Sequence, residues 1–181
     1  MNLTKRKCNR LPDFDYSSNG YYFITICTAE KQKLLCNIVG EGLCALPICE
    51  NPETILTNIG KAVDKSINYI NENYCDTKVD KYIIMPNHIH LIIKKSGGHR
   101  DPPHTTGGHR DPHHTTGGHR DPPLQSVIGR MKSYTTKIYG KELWQRSFYD
   151  HIIRDENDYL RICEYIENNP QKWSEDKYYV K

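Results

Sequence analysis

Lys81-Tyr-Ile-Ile-Met-Pro-Asn-His88-Ile-His90-Leu-Ile-Ile-Lys94 is an apolar run that breaks at Met85-Pro86-Asn87 and resumes with two histidines flanking Ile89. Successive strand side chains point to opposite faces, so His88 and His90 project together while Ile89 and Leu91 point the other way. Two neutral imidazoles held at a fixed separation form a platform for a divalent metal. Taken alone, a His-x-His pair more often lines the polar face of a half-buried sheet, so the flanking sequence has to decide.

Working outward, Val79 to Met85 and His88 to Lys94 read as two strands joined at Pro86-Asn87, and their near-continuous apolar character places them in a sheet interior. Upstream, the turn signal Ser17-Ser18-Asn19-Gly20 launches a strand over Tyr21–Thr28, rich in aromatic and β-branched residues. Residues 31–52 read as loop with room for a hairpin. Asn51-Pro52-Glu53-Thr54 opens a run with Ile55, Ile59, Ala62, Val63, Ser66, Ile67 and Ile70 at helical spacing. Downstream, Leu124 to Tyr139 repeats that spacing and stops at Gly140. Trp144 to Arg154 reads as an irregular approach to a short strand, and Asp155 begins a last helix whose stripe is Tyr159, Ile162, Cys163 and Ile166. The order β-α-β-β-α-β-α predicts an α+β fold: a ferredoxin-like, split βαβ sandwich with an antiparallel sheet and helices on one face.

A chain of 181 residues suits one domain spanning 1–181. It is interrupted at residues 97–123 by Gly-Gly-His-Arg-Asp-Pro repeats with a ten-residue period. With no apolar position to bury, that insert reads as flexible. Its histidines (99, 104, 109, 113, 114 and 119) raise a metal-handling role, weighed as adventitious binding. The formal charge of +3 permits a nucleic-acid partner without arguing for one. Seven cysteines with no Cys-x-x-Cys pair argue against a disulfide framework and fit a reducing cytoplasm. No apolar run reaches membrane-spanning length.

On the last helix Tyr165 sits at the edge of the stripe and shares a face with Asn169. Spacing alone makes it a border residue with its hydroxyl in water. The string Met85-Pro86-Asn87-His88-Ile89-His90, the segment Trp144-Gln-Arg with Tyr149-Asp-His-Ile-Ile-Arg154, and Tyr165-Ile-Glu-Asn-Asn-Pro-Gln-Lys-Trp173 together resemble the REP-associated tyrosine transposases. These are single-tyrosine relatives of the HUH endonucleases, and the resemblance covers nearly everything outside the insert. It implies that His88 and His90 hold Mg2+ or Mn2+, and that Tyr165 attacks single-stranded or hairpin DNA to form a 5′-phosphotyrosine. It also implies a third ligand from the tyrosine helix. Wider relatives place a glutamine where this chain has Asn169, and His151 competes for that role or for a supporting one. The resemblance admits a homodimer.

Between Leu124 and Arg154, Arg130, Lys132, Lys137, Lys141, Arg146 and Arg154 outnumber Glu142 and Asp150 and interleave with aromatic rings. Cations for phosphates and rings for unstacked bases make Arg130, Lys132, Lys137, Trp144, Arg146 and Arg154 candidate DNA contacts, and Lys5, Arg6, Lys7 and Arg10 a candidate arm. A solvated helix face with core aromatics is the plain alternative. A DNA-binding module that recognises hairpins without cutting is the alternative function.

Overall fold

The computed structural model describes residues 18–39, 52–96 and 121–180, so the basic arm at 5–10 and the repeat at 97–120 lie outside the described residues. The chain runs β1 (Gly20–Cys27), β2 (Cys36–Val39), β3 (Glu53–Leu56), α1 (Asn58–Asn73), β4 (Thr77–Ile84), β5 (His88–Lys95), α2 (Leu124–Tyr139), β6 (Tyr149–Ile153) and α3 (Glu156–Asn168). The main sheet is ordered β4-β5-β1-β6 with every neighbouring pair antiparallel, while β2 and β3 form a separate ribbon. This is the α+β, split βαβ arrangement expected from the sequence. No helix among the described residues is long and apolar enough to cross a membrane.

β5 is central and buried on both faces, which is why its sequence shows so little alternation. Ile89, Leu91 and Ile93 join Tyr22, Ile24 and Ile26 of β1 in a core covered by Val63, Ile67 and Ile70 of α1 and Val127, Ile128 and Met131 of α2. The opposite face presents Phe23, Ile92 and Ile153, and α3 covers them with Ile162, Cys163 and Ile166. The expectation of helices on one face therefore holds for α1 and α2 and is corrected for α3. Leaving Phe23, Ile92 and Ile153 bare would expose side chains whose burial is worth about 1.5–3 kcal/mol each. His88 and His90 belong to this second face, between β5 and α3.

The helical run expected from Asn51 also divides. Glu53–Leu56 pairs with Cys36–Val39, and the helix begins after Thr57, whose hydroxyl accepts the Gly60 N–H at 3.0 Å. Gly60 packs on the chain entering β2: a Cβ there would stand 1.9 Å from the Leu35 carbonyl oxygen. At the other helix, Gly140 ends α2 with φ of 77°, a left-handed conformation suited to glycine.

The insert is shorter at its end than the sequence suggested. Asp121, Pro122 and Pro123, within the expected flexible span, are held: Asp121 accepts the N–H groups of Cys75 (3.1 Å) and Asp76 (2.6 Å), and the Lys95 ammonium donates to the Pro122 carbonyl (3.3 Å). The buried Lys95 thereby gains a partner that its strand does not supply.

Candidate functional site

The turn Met85-Pro86-Asn87 starts β5 so that His88 and His90 face α3, and both are fully buried. Their Nε2 atoms lie 3.0 Å apart. Each Nδ1 is taken by an oxygen, that of His88 by Asn87 Oδ1 at 2.9 Å and that of His90 by the Thr25 hydroxyl at 2.8 Å. Phe23 stacks on the His90 ring with centroids 5.1 Å apart.

Tyr165 on α3 reaches the same point, its hydroxyl 3.2 Å from His90 Nε2. The hydroxyl also donates to Asp176 Oδ2 at 3.0 Å, and Asn169 Nδ2 donates to that same oxygen at 3.0 Å. Asp176 lies beyond α3, after a 3-10 turn at Trp173–Glu175, in a segment that folds back across the histidines. There the rings of Trp173 and Tyr178 approach His88, at 5.8 and 4.6 Å between centroids. Asn87 fastens the segment by donating to the Tyr178 carbonyl at 2.8 Å.

Ligand atoms of His88, His90 and Asp176 all lie within 4.8 Å of one another. Two imidazoles and a carboxylate are a donor set suited to a divalent metal. Beside them the Asn169 Oδ1 is buried and has no hydrogen-bond partner among the described residues, an orphan acceptor of the kind that a cation satisfies. These residues fit a bound metal. Asp176 thus stands beside Asn169 as a candidate third ligand.

The electrostatics suit ligation as well. Burial, opposed by Asp176, lowers the His88 pKa to about 4. Burial and then the neighbouring His88 hold His90 well below the ordinary histidine value, so both rings are neutral at physiological pH. Burial, followed by the Asp176 carboxylate, raises the Tyr165 phenol above its ordinary value.

The candidate DNA contacts divide by face. Arg130, Lys132 and Lys137 stand on α2, across the sheet from the histidines. Arg130 lines a groove between α1 and α2 with Lys65, Tyr69, Tyr74 and Tyr134. Lys132 donates to the Gln145 carbonyl at 2.6 Å and the Arg146 carbonyl at 3.2 Å, while Arg146 itself is exposed. Arg154 borders Tyr21 and Tyr159 at the other end of α3. Trp144 is corrected: it is 3% exposed and its indole N–H donates to Thr135 Oγ1 at 2.8 Å, so its ring is core and has no face for a base.

His151 is corrected too. Its Nε2 is bonded to Asp158 Oδ2 at 2.7 Å, fastening β6 to α3. It pairs across the strands with Phe23, one rung beyond the Thr25–His90 pair, so Phe23 intervenes. The partner at its Nε2 is thus Asp158 of α3, and no hydrogen bond among the described residues joins it to His88 or His90. The site's own cations are Arg161, Lys172 and Lys177, lining its open cleft with Tyr165 and Asp176, and Lys31, whose ammonium lies 5.8 Å from the Tyr178 ring centre. Sequence reading missed these, with Asp176 and Tyr178. The available signal was the run Asp176-Lys177-Tyr178, an acid, a cation and a tyrosine in a row, with two residues between it and Trp173, where the resemblance ends.

No family model matches the sequence. An uncharacterized protein of Haemophilus influenzae is 33% identical over 183 residues, covering 97% of this chain and 93% of the relative. Among solved structures, a REP-associated tyrosine transposase bound to a REP hairpin superposes with a TM-score of 0.58 at 20% identity, covering 98% of this chain and 77% of that one. The chain belongs to one family with the Haemophilus influenzae protein, and its fold is that of the REP-associated tyrosine transposases.

Proposed function

We propose that this protein is a transposase-like, metal-dependent single-strand DNA endonuclease and strand transferase, acting in the cytoplasm at or near hairpin-forming sequences. The observation that carries the reading is the meeting of Tyr165, the one tyrosine on α3 whose hydroxyl touches His90, with a buried imidazole pair. The transposase of like fold is bound to a REP hairpin, and the same substrate class is proposed here.

A divalent metal, Mg2+ or Mn2+, bound by His88, His90 and an oxygen of Asp176 or Asn169 would supply Lewis-acid stabilisation of the scissile phosphate. The chain's own groups do the rest. Tyr165 is a protonated phenol at neutral pH, so attack requires loss of its proton, and Asp176 Oδ2 at 3.0 Å is placed to accept it. The tyrosine oxygen then bonds to phosphorus as the bond to the 3′ oxygen of the preceding nucleotide breaks. That oxygen leaves as a hydroxyl after protonation, and the 5′ phosphate stays on Tyr165. Reversal with another 3′ hydroxyl rejoins the strand. Lys31, Arg161, Lys172 and Lys177 are the cations beside Tyr165 and the returning segment and bind the phosphate at the chemistry, with Arg130, Lys132, Lys137, Arg146 and Arg154 left to contact DNA further from it.

Incubation with labelled single strands carrying hairpins from the flanks of its own gene, with Mg2+ or Mn2+, should give a denaturation-resistant adduct absent in Tyr165→Phe. A second reading, hairpin binding without cleavage, is favoured by the zero exposure of both histidines beneath the 173–178 segment. Tight binding with no adduct in either metal would establish it and overturn the first.

A further inference from the structure

The two histidines are not held alike. Asn87 Nδ2 donates to the Tyr178 carbonyl at 2.8 Å and the Lys31 carbonyl at 3.3 Å. Those two acceptors fix which way the amide is turned, and they leave Oδ1 as the atom facing His88 Nδ1. A carbonyl oxygen only accepts, so His88 carries its proton on Nδ1 and its Nε2 is bare.

His90 Nδ1 faces the Thr25 hydroxyl instead, and a hydroxyl can turn to donate or to accept. With His88 Nε2 bare, the 3.0 Å contact between the two Nε2 atoms is a hydrogen bond only when His90 is protonated on Nε2. Thr25 then donates to His90 Nδ1. For both Nε2 atoms to bind one cation, His90 must carry its proton on Nδ1, and Thr25 must turn to accept it. Thr25 and Asn87 are each 1% exposed, so bulk water cannot stand in for either.

We propose that Asn87 and Thr25 are positioning residues with different tasks: Asn87 holds His88 permanently in the Nδ1-protonated form, while the Thr25 hydroxyl turns so that His90 can change from proton donor to second bare nitrogen when a divalent cation binds. The change is a tautomer shift. One proton leaves Nε2, one arrives at Nδ1, and the net charge of the ring is unaltered. The inference rests on the reading of His88 and His90 as metal ligands.

The test is long-range proton–nitrogen NMR of the imidazoles in the full chain, assigned with His88→Gln and His90→Gln, without metal and with Zn2+ as a diamagnetic probe. Expected are Nδ1–H on His88 and Nε2–H on His90 without metal, and Nδ1–H on both with it. Nε2–H on His88 in the metal-free protein overturns the Asn87 assignment whether or not metal binds. An unchanged His90 tautomer on metal binding overturns the Thr25 assignment. By calorimetry, Thr25→Val should weaken Mn2+ binding about 10–100-fold and Thr25→Ser should restore it. Wild-type affinity in a folded Thr25→Val protein would defeat the proposal. Failure of the wild type to bind any divalent cation would instead defeat the metal reading and remove the Thr25 switch with it, while the His88 tautomer would still decide the role of Asn87.

Discussion

The Tyr165 hydroxyl lies 3.2 Å from His90 Nε2, although 75 residues separate the two in sequence. The contact exists because α3 covers the face of the sheet to which His88 and His90 point. Tyr165→Phe removes one half-exposed oxygen and keeps the ring, so it should cost about 1 kcal/mol or less of stability. Hairpin binding should survive and the covalent adduct should vanish. Tyr159→Phe is a control, because that hydroxyl is bound to Asp80. Tyr149→Phe and Tyr178→Phe are closer controls, since both rings lie beneath the Lys177 ammonium at the edge of the site. An adduct that persists in Tyr165→Phe and disappears in Tyr178→Phe would transfer the nucleophile to the returning segment.

Replacing both histidines with alanine tests the metal site and carries a structural cost. Side chains that face a site are commonly solvated, but these two are fully buried against Phe23, Trp173 and Tyr178. Truncation leaves a cavity, and a loss of about 2 kcal/mol per residue is expected. Thermal melting should stay cooperative at a lower midpoint, and the upward shift that Mn2+ gives the wild type should disappear. An equal Mn2+ shift in the double mutant would place the metal elsewhere.

Much of this site was readable from local pattern. The two-residue period put His88 and His90 on one face, and the stripe Ile162, Cys163, Ile166 put Tyr165 at its border. A stripe does not say which side of a sheet it covers, and so α3 was expected beside α1 and α2. β3 was hidden because Ile55 and Ile59 continue the apolar spacing of α1 across the Thr57 cap. Trp144 looked like a base-stacking ring among cations, but its neighbour across the sheet is Thr28, a pairing that sequence distance conceals. Asp176 and Tyr178 carry no periodicity. Only the return of the chain after the 3-10 turn brings them over the histidines.

Asp176 should matter to catalysis beyond its charge. Its Oδ2 accepts from both Tyr165 and Asn169, and its Oδ1 accepts the Tyr178 N–H at 2.6 Å. Asp176→Asn retains the shape but loses the proton acceptor and the anionic ligand. A fall of about 100-fold or more in the single-turnover cleavage rate is expected, with weaker Mn2+ binding. Asn169→Ala should weaken Mn2+ binding and leave that proton acceptor in place. Unchanged cleavage in Asp176→Asn would remove it from the mechanism and leave Asn169 as the third ligand.

Acid should weaken the metal-free fold before it protonates the site. The His88 value falls to about 4 through burial, whereas an unfolded histidine titrates near 6.5. Between those values the unfolded chain binds a proton that the folded chain excludes. Stability therefore rises with pH across the window and is lost as pH falls from about 6.5 towards 4, by an amount on the order of a few kcal/mol. His90 is displaced in the same direction. Equilibrium urea melts at a series of pH values should show this slope in the wild type and a reduced one in His88→Gln. Identical slopes would mean that His88 titrates normally.

The insert should be removable only up to a definite residue. Residues 97–120 hold most of the polar repeat, but Asp121 caps two backbone N–H groups in the loop between α1 and β4, and the Pro122 carbonyl accepts from the buried Lys95. Hydrogen bonds with one charged partner are worth about 1.5–3 kcal/mol. A short Gly/Ser linker replacing 97–120 should leave melting and single-strand cleavage near wild type. Extending the replacement through Pro123 should lower stability by about 2 kcal/mol, because the Cys75 and Asp76 N–H groups and the Lys95 ammonium each lose a partner. Asp121→Ala in the otherwise intact chain should reproduce most of that loss without changing linker length. If the two replacements melt together, the Asp121 anchor contributes nothing to stability. If the 97–120 replacement alone abolishes cleavage at unchanged stability, the repeat acts on substrate.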